Sequence, residues 1–338
     1  MRREQIGLIR LAWASLMVST GMATLAAGPS TLPFGIWRRL TTQPIISPEG
    51  NGFESAGTFN PAVVRLHKDI VMLYRAQDRS GTSRLGYATS HDGIHFARRR
   101  APVMVPETRY EKGGGVEDPR LVQVGGTYYL TYTGYNNVDG VGPDRKDAQL
   151  CLATSSDLTH WKRQGVIMPA YTGAWNVGWT KSGAILTEMV NGKYWMYYLG
   201  DARGQSSQMG IAYSDDLFHW GDALDHPVLS SRPGFFDSKV VEPGPPPALT
   251  DKGILLIYNG ADDNLVYSTG WVLFDRQDPT RVVARAAKPI FRPQEPWERV
   301  GQVPNVVFVE GLIRAGKRWL FYYGGADEYI GVAEASEQ

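Results

Sequence analysis

Within residues 113–132, GGGVEDPRLVQVGGTYYLTY, two acids and a base fall inside four residues: Glu117, Asp118 and Arg120, with Pro119 holding the turn. A charged cluster that enters a strand from a glycine-rich loop is where a rigid all-β scaffold would mount a site. Gly113, Gly114 and Gly115 let backbone pass close to another surface at little steric cost. Residues 121–124 and 127–132 predict two short strands around a Gly125-Gly126 turn. Taken alone, the cluster reads equally well as a solvated turn with an ion pair. Glu117 is either a hydroxyl ligand or the partner of Arg120.

The elements that would position this cluster repeat. From Asn60 onward the chain carries five similar units, each opening on a polar group beside Pro or Gly and continuing as short aromatic-rich strands. The opening residues Asn60, Asp118, Lys181, Glu242 and Glu310 are roughly 60 residues apart. The pattern predicts an all-β fold, a five-bladed β-propeller closed by an N-terminal strand over residues 35–40. First strands would line the axis, so the five opening residues would converge at one end of a channel. Arg75, Asp201, Asn259 and Asp327, at the ends of second strands, would join them. SHDGIHF, SSDLTHW and SDDLFHW are one turn written three times. In it Asp92, Asp157 and Asp216 would bond backbone N–H groups, and the last aromatic would pack between neighbouring sheets.

Two carboxyl groups facing across a sugar are what glycoside hydrolysis needs: one donates to the leaving oxygen, the other activates water or attacks carbon. Asn60, Arg75 and Asp327 would hold hydroxyls. The plainer reading is that acids and bases neutralise each other in a polar channel. A buried channel of charges is costly unless something uses it. No GxSxG elbow, P-loop or dinucleotide fingerprint is present.

The 338 residues carry 35 basic and 34 acidic side chains, so no global field points to nucleic acid. A single cysteine, Cys151, excludes an internal disulfide and reads as a buried small hydrophobe. No HExxH or HxH spacing suggests a metal, and no cofactor is expected. Residues 1–27 read as a signal peptide or hydrophobic tail: Arg2, Arg3 and Arg10, then an apolar run ending in Ala23, Ala26 and Ala27. The expected location is secreted or periplasmic, or cytoplasmic if that segment is not a signal. No other stretch is suited to a membrane. Residues 28–338 form the single predicted domain.

Several motifs in order resemble glycoside hydrolase family 130, the β-mannoside phosphorylases and β-mannosidases: EDPRL at 117–121, KYWMYYLG at 193–200, PGPPP at 243–247, VGQVPNVVFVEG at 300–311 and YYGGAD at 322–327. The resemblance covers residues 55–335. It implies a five-bladed propeller, Asp118 as general acid with its proton relayed through a sugar hydroxyl, and Asn60, Arg75 and Asp327 as sugar contacts. Beside the resemblance, Arg120, Lys181 and Asn259 are further substrate-binding candidates. The chain departs from the phosphorylases where they bind phosphate. Leu199-Gly200 replaces an HR pair, Asn259 replaces a histidine, and Glu242 and Glu310 replace small or neutral residues. Losing cations and gaining carboxylates disfavours a phosphate dianion. The expectation is therefore an inverting hydrolase of β-linked mannosides, with Asp118 as acid and Glu242 or Glu310 as base. Asp237 is a minor candidate. A phosphorylase, a non-catalytic carbohydrate-binding propeller and a hydrolase of another sugar are the alternatives. Trp175 and Trp179 would either wall a sugar subsite or pack a loop.

Overall fold

The computed structural model describes residues 32–138, 147–173, 175–201 and 207–338. The signal-like segment and most of the 136–147 loop lie outside them. Strand β1 (Arg38–Arg39) comes first. Unit one holds β2 (Gly57–Leu66), β3 (Asp69–Gln77), β4 (Ser83–Ser90) and β5 (Ala97–Arg98). Unit two holds β6 (Gly113–Val124), β7 (Thr127–Asn136), β8 (Asp147–Ser155) and β9 (Lys162–Met168). Unit three holds β10 (Thr180–Val190), β11 (Lys193–Asp201), β12 (Ser207–Ser214) and β13 (Gly221–Asp222). Unit four holds β14 (Val240–Pro243), β15 (Ala248–Thr250), β16 (Gly253–Ala261), β17 (Tyr267–Phe274) and β18 (Val282–Arg285). Unit five holds β19 (Val307–Ala315), β20 (Arg318–Gly325) and β21 (Tyr329–Ser336), and β1 pairs antiparallel with β21 as its fourth strand.

Within each unit neighbouring strands pair antiparallel, and in unit four β14 and β15 together form the first strand, both pairing with β16. Single parallel pairs, Ser83 with Gly115 and Ser207 with Val240, join units one to two and three to four. Hydrogen bonding therefore makes three sheets, and none closes on itself. The Ser83 crossing explains the third glycine. Gly115 has φ +110, and a Cβ there would sit 2.1 Å from the Ser83 carbonyl oxygen. The triple glycine is thus the start of β6 rather than a free loop.

Packing between units is apolar and sequential. Leu73 and Leu85 of unit one share a cluster with Leu130 and Tyr132 of unit two. Leu152 of unit two shares one with Met196 of unit three, and Ile211 of unit three shares one with Leu256 of unit four. Ile257 and Phe321 share the cluster between units four and five, and Met72 and Tyr322 that between units one and five. Each such side chain contributes about 1.5–3 kcal/mol on burial. The thrice-written turn behaves as expected. Asp92, Asp157 and Asp216 each accept two backbone N–H bonds at 2.8–2.9 Å and hold the following histidine at 2.7 Å. Phe96 packs edge-on to Tyr322 of unit five, while Trp161 and Trp220 join the clusters between units one and two and between two and three.

A second repeat was not visible in the sequence. Every unit buries a second-strand tyrosine whose hydroxyl donates to a carboxylate: Tyr74 to Glu54, Tyr132 to Glu111, Tyr198 to Asp222, Tyr258 to Asp237, Tyr323 to Glu298. In four units an arginine of the fourth strand binds that carboxylate: Arg98, Arg163, Arg285 and Arg39. Asp237 is therefore a buried structural anion held by Arg232, Arg285 and Tyr258, not a base or an outer subsite contact.

Two other predicted ligands are also structural. Asn259 is buried; its Nδ2 donates to the Val309 carbonyl at 3.0 Å and its Oδ1 accepts from Val309 N at 2.9 Å, stitching unit four to unit five. Arg120, 1 % exposed, donates to the carbonyls of Asp118 (3.1 Å), Gly244 (3.1 Å) and Pro243 (2.8 Å) and pairs with Glu310. Its donors turn to units two, four and five, and its side chain is sealed away from the cavity and from any sugar in it. Replacing Arg120 by Met leaves three carbonyls and a buried carboxyl without their cation. Denaturant unfolding should show a loss of about 3–5 kcal/mol; a loss below 1 kcal/mol would contradict this account.

Candidate active site

The first strand of four units carries the same irregularity. One extra residue interrupts the pairing between Phe59 and Pro61, Glu117 and Arg120, Lys181 and Ala184, and Val309 and Gly311. A bulge of this kind re-aims side chains that strict alternation would send to opposite faces. Asn60, Asp118 and Ser182 sit there with φ of 50°, 50° and 56°. The register corrects the phasing of the repeat. Asn60, Asp118, Ser182 and Glu310 occupy the bulge, whereas Lys181 and Glu242 stand one residue earlier, level with Glu117.

The bulges and the strand ends enclose a cavity of about 190 Å³. It is lined by Asn60, Arg75, Asp118, Lys181, Glu242, Tyr267 and Asp327, with Val303, Val306 and Phe308 as the apolar part. Six predicted residues are thus brought together: Asn60, Arg75, Asp118, Lys181, Glu242 and Asp327. Arg120, Asn259 and Glu310 are not on the lining. Glu310 is 0 % exposed and faces Arg120, with Asn60 beside it. A carboxyl sealed from the cavity cannot activate a water in it, so of the two glutamates only Glu242 is placed to act there.

The electrostatics follow from the contacts. Arg75 Nη2 donates to Glu117 at 2.6 Å and Nη1 to Asp118 at 3.2 Å, while its guanidinium stands 4.6 Å from the Phe59 ring centre. Glu117 thus partners Arg75, not Arg120. Burial pushes the Asp118 carboxyl up, but Arg75, Lys181 and Arg120 together outweigh it and hold it below the usual range. Burial wins at Glu242, which is raised against the pull of Arg120 and with help from Asp118. It wins also at Asp327, which burial lifts to about 6 in spite of Arg75. The Ser182 hydroxyl donates to Glu242 Oε1. The two carboxyls are thus pushed in opposite directions, Asp118 down and Glu242 up, the reverse of what an acid at Asp118 and a base at Glu242 call for.

Tyr267 was not foreseen. It opens β17 and lines the cavity through pairing with Val306 of the next unit, a contact its local sequence VYSTGW does not signal. Trp175 packs against Tyr198 with ring centres 6.2 Å apart, and a Cβ on Gly200 would lie 2.5 Å from its ring. Trp175 is therefore a packed loop residue. Trp179 is nearer the site, its ring 5.3 Å from the Lys181 ammonium. Among the described residues no cluster of His, Cys, Asp or Glu is arranged for a metal ion. Cys151 is fully buried and its thiol is pushed up by desolvation.

A family model described as β-1,4-mannooligosaccharide phosphorylase, glycoside hydrolase family 130, matches residues 38–338. A 1,2-β-oligomannan phosphorylase of Thermoanaerobacter sp. (strain X514) is 40% identical over 305 residues, 88% of this chain and 96% of that protein. A solved glycosyl hydrolase from Bacteroides ovatus superposes with a TM-score of 0.80 at 37% identity, covering 90% of this chain and 94% of its own. Another solved structure, described as showing that the family of mannoside phosphorylases contains glycoside hydrolases targeting β-1,2 mannosidic linkages in Candida mannan, superposes at 0.81 with 35% identity, covering 92% and 98%. The 40% identical relative is a phosphorylase, as is a β-1,2-mannobiose phosphorylase of the same organism that is 36% identical over 309 residues, and both weigh against the hydrolysis expected from the sequence. Sequence, fold and relatives agree on one point: the chain belongs to glycoside hydrolase family 130.

Proposed function

We propose that this protein cleaves β-1,2-linked mannosides and passes the mannosyl group to water, on a five-bladed propeller in which the five units surround the cavity. The linkage is supported by the 1,2-β-oligomannan phosphorylase and the β-1,2 mannosidic structure among the relatives. The ring arrangement is supported by the sequential packing of units, with β2 against both β6 and β19. One observation carries the choice of water: Glu242 lines the cavity next to Lys181. Three carboxylates line it against two cations, and Arg75 is already bonded to Glu117 and Asp118. A phosphate dianion would enter against Glu242 and find few free positive groups.

In this reading Asn60, Arg75 and Asp327 hold sugar hydroxyls, Asp118 protonates the leaving oxygen through one of them, and Glu242 takes a proton from the attacking water. The bond from the anomeric carbon to the leaving oxygen breaks as the water oxygen bonds from the opposite face. For this step Asp118 must first gain a proton and Glu242 must be in its charged form. A bound sugar supplies the means at Asp118, because it removes water from the carboxyl and weakens the charged form. The second reading is phosphorolysis, favoured by the name of the 40% identical relative. There phosphate would attack in place of water, and the product would be mannose 1-phosphate.

Incubation with β-1,2-mannobiose, with and without phosphate and followed by NMR, separates the two. Free α-mannose, formed first and independent of phosphate, is expected. Phosphate-dependent mannose 1-phosphate would overturn the choice of water, and Glu242→Gln should lower kcat at least about 100-fold. Ligand binding near neutral pH should take up a proton at Asp118, measured by calorimetry in buffers of different ionisation enthalpy. Absence of uptake would hand the acid role to Glu242. Asp327→Asn should remove from the pH profile of kcat/KM an ionisation near about 6, the value to which burial lifts this carboxyl. An unchanged profile would take Asp327 out of the titrating set.

A further inference from the structure

We propose, resting on the reading of Asp118 and Glu242 as the reacting pair, that Ser182 is a positioning residue that fixes which oxygen of Glu242 faces the substrate. Ser182 is fully buried and does not line the cavity, so it acts only through its partner. Its hydroxyl donates to Glu242 Oε1, a bond from unit three to unit four. The second carboxylate oxygen is left for a water in the cavity. Oriented this way, the carboxylate need not search for its angle at each turnover.

The backbone supplies an independent reason. Ser182 lies in the left-handed region at φ 56, which a non-glycine residue adopts at a cost and keeps where something over-determines it. Strict alternation after Lys181 would turn the next side chain away from the one before. The bulge instead keeps Lys181 on the cavity and sends Ser182 to the carboxyl of the neighbouring unit. The four bulge residues have separated in role. Asn60 and Asp118 reach the cavity, Glu310 neutralises Arg120, and Ser182 holds the Glu242 carboxyl. A donor to Glu242 Oε1 favours the charged form, opposing the burial that favours the neutral one.

The test uses Ser182→Ala and Ser182→Gly, with kcat and KM on β-1,2-mannobiose measured across pH. Glycine relieves the left-handed backbone and alanine does not, so the two should differ in melting temperature. Both remove the hydroxyl. Both should lower kcat by about tenfold with little change in KM. Both should also move the Glu242 limb of the pH profile upward by about one unit. Equal kinetic shifts in two variants of unequal stability support positioning. A limb that stays in place in both, with kcat falling only in step with melting temperature, overturns it. Glu242→Gln, run in the same series, isolates the assumption beneath. If that variant keeps the limb, the assignment of Glu242 has failed. If it loses the limb and the Ser182 variants do not move it, the positioning role alone has failed.

Discussion

One guanidinium sets the frame of the site. Arg120 is buried where units two, four and five meet, and it spends its donors on the carbonyls of Asp118, Pro243 and Gly244 and on Glu310. A buried ion pair is weak evidence for stability, because desolvation cancels much of the attraction. Its geometric effect is firmer. The Asp118 carbonyl and the backbone that follows Glu242 refer to the same planar group, so two of the three carboxyls of the cavity are placed relative to one rigid fork. Arg120 also lowers the cost of charging both Asp118 and Glu242.

The site holds its charges in layers. Behind the lining, Glu117 neutralises part of Arg75 and Glu310 neutralises part of Arg120. What remains toward the cavity is a surplus of carboxylate over ammonium and guanidinium. Neutral, hydroxyl-rich ligands suit that surface because they donate as readily as they accept. An incoming dianion would have to repay the desolvation of Glu242 and Asp327. The names of relatives speak for phosphate and the lining speaks for water, and the difference between them turns on Glu242.

Much of the scaffold was legible because the repeat states it. Short strand blocks and a turn written three times give the units, and strand ends point to Arg75 and Asp327. The predicted closing strand over residues 35–40 is present as β1, shorter than expected. Two candidate ligands and one candidate base are off the cavity for one reason. Arg120, Asn259 and Glu310 carry polar groups that a sequence cannot show to be already occupied, since each has a partner 50 or more positions away in another unit. The bulge was missed for a related reason. One inserted residue leaves the spacing of about 60 intact but exchanges which neighbour faces inward. Thus Ser182 was hidden beside Lys181. Tyr267 depends on Val306 of the next unit and could not be found locally.

Strand β1 belongs to the last unit, and Arg39 within it binds Glu298 beneath Tyr323 across 259 positions. Units one to four can therefore assemble as they emerge during synthesis, each from contiguous chain. Unit five cannot, because it waits for both ends of the described chain. The entropy of that closure grows slowly with length, yet the search is long-range and belongs to the slow class of folding events. Until it is complete the edge of β21 stays open to pairing with another chain. The Arg39 latch thus bears on the kinetics of maturation as much as on the finished fold, and a nascent or truncated chain would meet its aggregation risk at this edge.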